Sequence, residues 1–358
     1  MSNGACRRVS AERISITALI PAYNEASRIG AAIESVLAQT YPATEILVID
    51  DGSSDDTAAV AARYGVRVVT QKNAGISAAR NRAFAEATGD WIALLDADDR
   101  WLPQRLEWLI RASAAHPEIG FGFSDYTIEE NGVQNAPSNL ARTPQFRAAR
   151  GEANATDIYA IPREALCKAL AVGNFLGTST VFVRRELVTR NDLRFDETLP
   201  LRTAEYQMSE DVEWYLRVLK WTDALAIERV LARYVRRSDS QAENYGRVRY
   251  GDVKLGERMR ALPDAYEASA PDAFAAMRRH HLRHAASIHM RAADFASARA
   301  RLAEAQRENF RASDALWLAA ATALDCAAGR SATRVTRTAW QRSLRPMLRS
   351  VVRVAERK

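Results

Sequence analysis

The sequence predicts an α/β protein, with a mainly parallel central sheet flanked by helices and then an α-helical C-terminal region. Three observations carry this reading. Over residues 14–125, short apolar runs alternate with stretches of helical periodicity, the pattern of successive βαβ units. Four of those runs end in acidic, polar or glycine-containing segments, as the ligand-facing carboxyl edge of a parallel sheet does. From about Asp252 to Ala328 helical spacing continues without strand signals.

Ile14–Ile20 reads as the first strand, followed by a helix carrying Ile29, Ile33, Val36 and Leu37. Ile46–Ile49 is a second strand, and a helix over Asp55–Tyr64 is closed by Gly65 as a left-handed cap. Val66–Val69 is the third strand, and Ser77–Ala87 a helix ended by Gly89. Trp91–Leu95 is the fourth strand, and Phe121–Phe123 belongs to a fifth. Thr127–Asp157 is polar and weakly periodic, which predicts either a mobile loop or disorder. Beyond it come a helix near Arg163–Ala171, a strand at Thr178–Val183, a helix over Glu210–Leu219 and a strand at Ala224–Val235. His281–Ala292 and Asp294–Gln306 resemble one helical hairpin, too few copies for a repeat.

The totals narrow the function. At 358 residues, with 47% hydrophobic and 26% charged residues, the chain has the composition of a globular protein of about two domains. No apolar stretch approaches the ~18 residues a membrane span needs. Met1–Ser10 lacks the apolar core of a secretory signal, so a cytoplasmic location is expected. Cys6, Cys167 and Cys326 lie far apart without a C-x-x-C pair, which suits a reducing compartment. His280 and His284 have i, i+4 spacing, but no third ligand is near them in sequence; they read as surface residues of a helix. The net charge of +6 is concentrated in residues 331–358, where eight Arg or Lys face Glu356 alone. The body is therefore not a nucleic-acid binder by charge.

The carboxyl-end segments hold the chemistry. They are Pro21-Ala22-Tyr23-Asn24-Glu25, Asp50-Asp51-Gly52-Ser53-Ser54-Asp55, Gln71-Lys72-Asn73-Ala74-Gly75 and Asp96-Ala97-Asp98-Asp99. Three carboxylates within four residues repel one another unless a hard divalent cation, Mg²⁺ or Mn²⁺, bridges them to a phosphorylated ligand. The alternative is a solvated turn with Asp99 capping the helix that Pro103 helps to start.

In this order, and with Gln39-Thr-Tyr-Pro42, Ser77-Ala-Ala-Arg80-Asn81, Phe195-Asp196-Glu197 and Glu210-Asp211-Val-Glu-Trp214, the motifs make residues 14–240 resemble the family 2 glycosyltransferases, whose nucleotide-binding fold is called GT-A. The resemblance implies a nucleotide-sugar-binding half at 14–125, the loop at 126–160 and an acceptor and catalytic half at 161–240. A flexible segment 1–13, a helical region 241–330 and a basic tail 331–358 flank them. It implies that Pro21, Ala22, Tyr23 and Glu25 surround the base and ribose, and that Asp51 accepts from a uracil imide N–H, favouring a UDP-sugar. Asn73 and Gly75 precede a helix N-terminus that favours anions, with Lys72 beside them, and Arg80 reaches the diphosphate. Asp96 opens the D-x-D pattern, and Asp98 and Asp99 hold the metal and ribose. Asp211 is the expected base on the acceptor hydroxyl, and a single displacement with inversion follows from the family.

Members of this family often carry a His after the late strand. Here the segment is Arg233-Tyr234-Val235-Arg236-Arg237-Ser238. Arginine cannot ligate a metal but pairs with phosphate oxygens, so Arg236 and Arg237 are assigned to the diphosphate. The absence of a Gln-x-x-Arg-Trp motif argues for transfer of one sugar per encounter, in cell-envelope or extracellular polysaccharide or glycolipid synthesis, with a glycan or lipid-linked acceptor. In residues 334–358, Trp340, Leu344, Met347, Leu348 and Val351 share a helical face beside Arg345, Arg349 and Arg353. Such a basic amphipathic helix lies on an anionic membrane surface or packs on its own protein. Two rival readings are weaker. A nucleotidyltransferase wants a Gly-rich phosphate loop after the first strand, which Pro21–Glu25 is not. A degenerate transferase serving as a membrane or protein adaptor does not need the intact Asp51, Asp98, Asp99 and Asp211.

Overall fold

Strands with both faces covered read as near-continuous apolar runs, and β1 (Ile16–Ala22) is buried along its whole length. The computed structural model of the chain describes residues 13–130, 132–136, 138–199, 201–202, 207–236, 282, 285–286 and 295–306. After β1 come α1 (Ile29–Leu37), β2 (Glu45–Asp50), α2 (Thr57–Ala62), β3 (Arg67–Thr70), α3 (Ile76–Glu86) and β4 (Trp91–Leu94). β5 (Arg100–Trp101) and α4 (Arg105–Ala115) follow. Then come β6 (Phe121–Glu130), β7 (Val133–Ala136), α5 (Pro144–Arg150), β8 (Ile158–Ile161) and α6 (Arg163–Val172). β9 (Val181–Arg184), α7 (Arg185–Arg190), β10 (Leu201–Arg202), β11 (Gln207–Met208), α8 (Glu210–Val218) and β12 (Ala224–Arg236) complete this part, and α9 (Phe295–Gln306) stands later in the chain.

Among the described residues one sheet has the order β3-β2-β1-β4-β9-β6-β12-β5, with β7 on β6 and β8 on β12. The four strands β3-β2-β1-β4 are parallel, as expected. β9 then runs antiparallel between β4 and β6, and β12 returns parallel to β6. The pleat divides the core. Ile16, Ala18, Ile20, Trp91, Ala93 and Leu95 pack with Ile29, Ile33 and Val36 of α1 and Leu106 and Leu109 of α4. Leu19, Leu47, Ile49, Ile92 and Leu94 pack on the other face with Ala79, Ala83 and Phe84 of α3 and Trp214 of α8.

Two expectations are corrected. Residues 126–160, read as a mobile loop, carry the second half of β6, the β6–β7 hairpin, a 3₁₀ turn at Leu140–Arg142, α5 and the start of β8. Buried Asp125 explains the order there. Its carboxylate accepts hydrogen bonds from the Ser138 hydroxyl and from the backbone N–H groups of Asn139 and Leu140 (both 2.9 Å). The strand expected at Thr178–Val183 begins three residues later, because Thr178–Thr180 is a 3₁₀ turn. α9 falls within the helix read at Asp294–Gln306. The tail 331–358, residues 1–12, Arg237 and most of 241–330 lie outside the described residues.

Polar residues on the buried side of α3 tie the two halves together. Asn81 accepts from the Phe195 N–H (2.7 Å) and donates to the Phe195 carbonyl and to Glu197 (both 2.9 Å). The Ser77 hydroxyl donates to the Leu199 carbonyl (2.6 Å). Phe195 then stacks on Trp214, with centroids 4.7 Å apart and planes 13° apart, and Trp214 Nε1 donates to the Leu193 carbonyl (2.8 Å). This joins α3 to the start of α8. Trp214→Ala removes a fully buried ring and that donor, and is expected to lower the unfolding free energy in urea by about 3–5 kcal/mol.

Candidate functional site

The carboxyl ends of β1 to β4 share one edge, and the start of β9 reaches the same edge because β9 runs the opposite way. Buried Pro21 and Ala22 end β1, and the Ala22 carbonyl accepts the Asp51 N–H (2.9 Å). Tyr23 is half exposed (49%). Asn24 takes a left-handed φ of 55° and accepts from the Ser54 N–H (2.8 Å), so the first two loops are laced together. The Glu25 N–H donates to Thr57 Oγ1 (2.8 Å), and its carboxylate pairs with Arg28 (2.5 Å).

Asp51 is buried at the centre of this edge. Oδ1 accepts from Gln71 Nε2 (2.8 Å) and the Ala74 N–H (2.9 Å), and Oδ2 accepts from the Gly75 N–H (2.8 Å). The N–H groups of Ala74 and Gly75, just before α3, are thus met by the protein's own carboxylate. Three of about four acceptor positions on Asp51 are filled, and the fourth lies on Oδ2. Glycine is required twice here. A Cβ on Gly52 (φ 73°) would stand 2.7 Å from the Asn73 nitrogen, and Gly75 caps α3 at φ 92°. Lys72 and Asn73 lie exposed on the turn between them.

Arg80 also departs from its expected place. Its side chain is 3% exposed. Nη1 donates to Glu210 (2.7 Å), Nη2 donates to Asp96 (3.0 Å), and the guanidinium lies 5.2 Å over the Phe195 ring. Burial alone would lower its proton affinity, but Asp96 and Glu210 outweigh that and hold it firmly charged. The arginine read as a diphosphate ligand is a strut between the carboxylate loop and the start of α8.

Within that loop the three acids differ. Asp96 and Asp98 are half-buried, while Asp99 is 2% exposed. Asp99 Oδ2 accepts from the Ser179 hydroxyl (2.5 Å), and Oδ1 accepts from the Val235 N–H (2.9 Å). Burial first, and then the charges of Asp98 and Asp96, push Asp99 well above the usual carboxylate range. Ser179 also accepts the Asp96 N–H (3.0 Å), and its carbonyl accepts from Trp101 Nε1 (2.7 Å). Asp99 therefore clips the loop to the end of β12, which carries half-buried Arg236; Arg237 lies outside the described residues. Tyr234 lies near these acids, and burial followed by the fields of Asp99, Asp98 and Asp96 pushes its phenol up to about 12.

Asp211 stands in the first turn of α8, where acidic residues are stabilised by the helix dipole. Asn174 Nδ2 donates to Oδ2 (3.3 Å), and the Val212 N–H donates to Oδ1 (2.8 Å). Burial chiefly, then the Glu210 charge, push Asp211 up to about 7. A carboxylate poised near neutrality at a helix start is suited to take a proton.

As a donor set for a divalent cation, the loop offers hard carboxylate oxygens, which fit Mg²⁺ or Mn²⁺. The fit is partial: Asp99 is committed to Ser179 and Val235, and Asp96 Oδ1 to Arg80. Among the described residues no three His, Cys, Asp or Glu side chains form a metal cage. The sequence reading did not foresee Gln71 as a partner of Asp51, Asn174 as a partner of Asp211, or Ser179 as the link between Asp96 and Asp99. Each is an uncharged polar residue whose partner is distant in sequence.

A sheet that gathers glycine-containing acidic loops at one edge, opposite a poised carboxylate at a helix start, has the architecture of a GT-A nucleotide-sugar fold. Residues 17–169, about two-fifths of the chain, match the family described as "Glycosyl transferase family 2". It is 38% identical over 120 residues to the UDP-Glc:α-D-GlcNAc-diphosphoundecaprenol β-1,3-glucosyltransferase WfgD of Escherichia coli, covering 32% of this chain and 47% of that one. The chain spans between about a fifth and about half of the length of the curated relatives it matches. Two solved structures share the fold. S. aureus TarS 1-349 in complex with UDP-GlcNAc has a TM-score of 0.58 at 16% identity, with 92% of each chain covered. The mannosyltransferase PcManGT from Pyrobaculum calidifontis, in complex with GDP-Man and Mn²⁺, has a TM-score of 0.53 at 17% identity, covering 97% of this chain and 89% of that one.

Asp51→Ala leaves the Ala74 and Gly75 N–H groups without their acceptor. It is expected to lower the unfolding free energy in urea by about 1–2 kcal/mol, the usual value of a helix N-terminal cap.

Proposed function

We propose that this chain transfers a sugar from a nucleotide-diphosphate sugar, a UDP-sugar in our reading, to an acceptor hydroxyl with inversion. The observation that carries it is Asp211, poised near neutrality and joined through Glu210 and Arg80 to the carboxylate loop at the sheet edge. The likeness to WfgD, whose name specifies a UDP-glucose donor and a diphosphoundecaprenol-linked acceptor, supports the donor class and a lipid-linked or glycan acceptor. It also supports a role in cell-envelope glycan or polysaccharide synthesis.

In this reading Pro21, Ala22, Tyr23 and Glu25 border the nucleoside, and Asp51 offers its remaining acceptor position to the uracil imide N–H. Asp96 and Asp98 face the ribose and diphosphate, and Asp98 holds the cation; Asp99 contributes by fixing the loop. A bound Mg²⁺ or Mn²⁺ supplies Lewis-acid stabilisation of the departing diphosphate. Arg236 and Arg237, with Lys72 and Asn73 at the rim, add positive charge and donors for the phosphates. Asp211 receives the acceptor's proton as the acceptor oxygen bonds to the anomeric carbon. The bond to the diphosphate oxygen breaks, and its electron pair leaves with the nucleoside diphosphate. Attack opposite the leaving group inverts the centre.

The test is a screen of UDP-, GDP- and dTDP-sugars for Mn²⁺-dependent transfer and slow hydrolysis. The kcat/KM profile is expected to rise tenfold per pH unit below a limb near pH 7, since Asp211 must be deprotonated to act. Asp211→Asn should lose that limb and ~10²–10⁴-fold in rate while retaining UDP affinity. No nucleotide binding by the wild type would sink the reading.

Among the described residues no helix is long and apolar enough to cross a membrane. We infer that residues 334–358 dock on anionic lipid, which brings the site to a lipid-linked acceptor. In liposome flotation the full chain should float with anionic vesicles and a chain ending at Gly329 should not; equal flotation removes the idea.

A further inference from the structure

We propose that Asn174 is a positioning residue for the base: its side-chain amide aims the Asp211 carboxylate and favours its proton-accepting form. The proposal rests on the role given to Asp211 above and adds the residue that sets it up. Asp211 is half-buried in the first turn of α8, and its two oxygens are held from different parts of the chain. Oδ1 accepts from the Val212 N–H on its own helix (2.8 Å), and Oδ2 accepts from Asn174 Nδ2 (3.3 Å). The amide is fixed at its other end, where Asn174 Oδ1 accepts the Leu176 N–H (3.0 Å), so Nδ2 is the atom turned to Asp211.

The backbone that carries this amide is anchored too. The Phe175 carbonyl accepts from Asn139 Nδ2 (2.8 Å), and the Asn139 N–H donates to buried Asp125 (2.9 Å). The Phe175 ring packs against Phe123 and Phe146, with centroids 6.1 and 6.0 Å away. A polar group locked by its own partners is the arrangement that orients a base. Further along the same segment, Thr178 Oγ1 accepts from the Tyr215 hydroxyl of α8 (3.4 Å), and Ser179 grips Asp96 and Asp99. One short stretch of chain therefore sets the base in register with the acidic loop.

The charged and titratable groups facing Asp211 are Glu210 and Tyr215 on α8, Arg80 on α3 and Asp96 after β4. Burial first, then the charges of Glu210 and Asp96, favour the protonated form, and Arg80 opposes them. A donated amide hydrogen bond acts on the same side as Arg80, because it stabilises the carboxylate more than the acid. Being neutral, it does so without adding a second cation that would hold Asp211 permanently ionised and weaken it as a base.

In the full chain carrying ¹³C-labelled aspartate carboxyls, the resonance lost in Asp211→Asn reports the titration of Asp211 with no ligand present. Its midpoint is expected near pH 7 in the wild type. Asn174→Ala removes the donor and should raise the midpoint by about half to one pH unit. Asn174→Asp has nearly the same size, can still accept the Leu176 N–H, and brings a like charge to Asp211; it should raise the midpoint further. Should Asn174→Ala fail to fold by circular dichroism, Asn174→Asp is read alone. With Mn²⁺ and the UDP-, GDP- and dTDP-sugars screened above, the low-pH limb for hydrolysis should move with the midpoint. The plateau kcat should fall on the order of tenfold while UDP affinity stays within about twofold. A midpoint unmoved in the variant read, or a plateau rate left at the wild-type level, overturns the role of Asn174 and leaves the base reading intact. A wild-type rate in Asp211→Asn, or no hydrolysis of any of these sugars by the wild type, overturns the base and the role of Asn174 together.

Discussion

One buried guanidinium holds the site in register. Arg80 rises from α3, on the face that packs against the sheet, and spends its two terminal nitrogens on acids from opposite halves of the domain. Burying a charge so deeply is costly unless it is paired, and removing either acid would leave the cation uncompensated. The arrangement therefore ties the loop after β4 to the start of α8 more rigidly than packing alone. Phe195 and Trp214 fill the space beneath, and Asn81, one residue along α3, fixes the backbone that carries Phe195. Structural and chemical tasks meet on a single helix turn.

A second constraint is the direction of β9. Because it runs against β4, its leading turn, Thr178–Thr180, arrives where β4 ends. Ser179 can then grip both Asp96 and Asp99, while Trp101 and Arg105 hold the Ser179 and Thr180 carbonyls from below. A parallel strand at that place would deliver its polar leading turn to the opposite edge. The mixed sheet is thus what allows residues more than 80 positions downstream to brace the acidic loop.

Much of this was legible in the residues. Four apolar runs with acidic or glycine-containing ends reveal a parallel sheet and the edge that gathers its polar loops, because burial on both faces leaves local marks. The place of Asp211 in the first turn of a helix was legible from the residues around it. Pairing across the sheet leaves no such mark. Nothing local in Val181–Arg184 shows that it enters between β4 and β6, and the polar hairpin after Phe123 hides a strand whose order depends on one buried acid, Asp125. The type of Arg80 pointed to charge in the site but not to its partners. Its two carboxylate partners, Asp96 and Glu210, are ones that only the folded chain brings near. Asp51 shows the same limit: its burial, and its bonds to the Ala74 and Gly75 N–H groups before α3, were not readable.

The late arrival of β9 also bears on how the chain is made. β4 lies in the interior of the finished sheet, yet one of its edges is satisfied only by residues 181–184. While the first half of the polypeptide leaves the ribosome, that apolar edge has no hydrogen-bonding neighbour, and an open edge invites pairing with another nascent chain. The β1–β4 unit is then a fragment that cannot finish its own sheet. Synthesis halted before residue 181 yields a species prone to aggregate, and the pace of translation through the intervening residues becomes part of what decides the yield of folded protein.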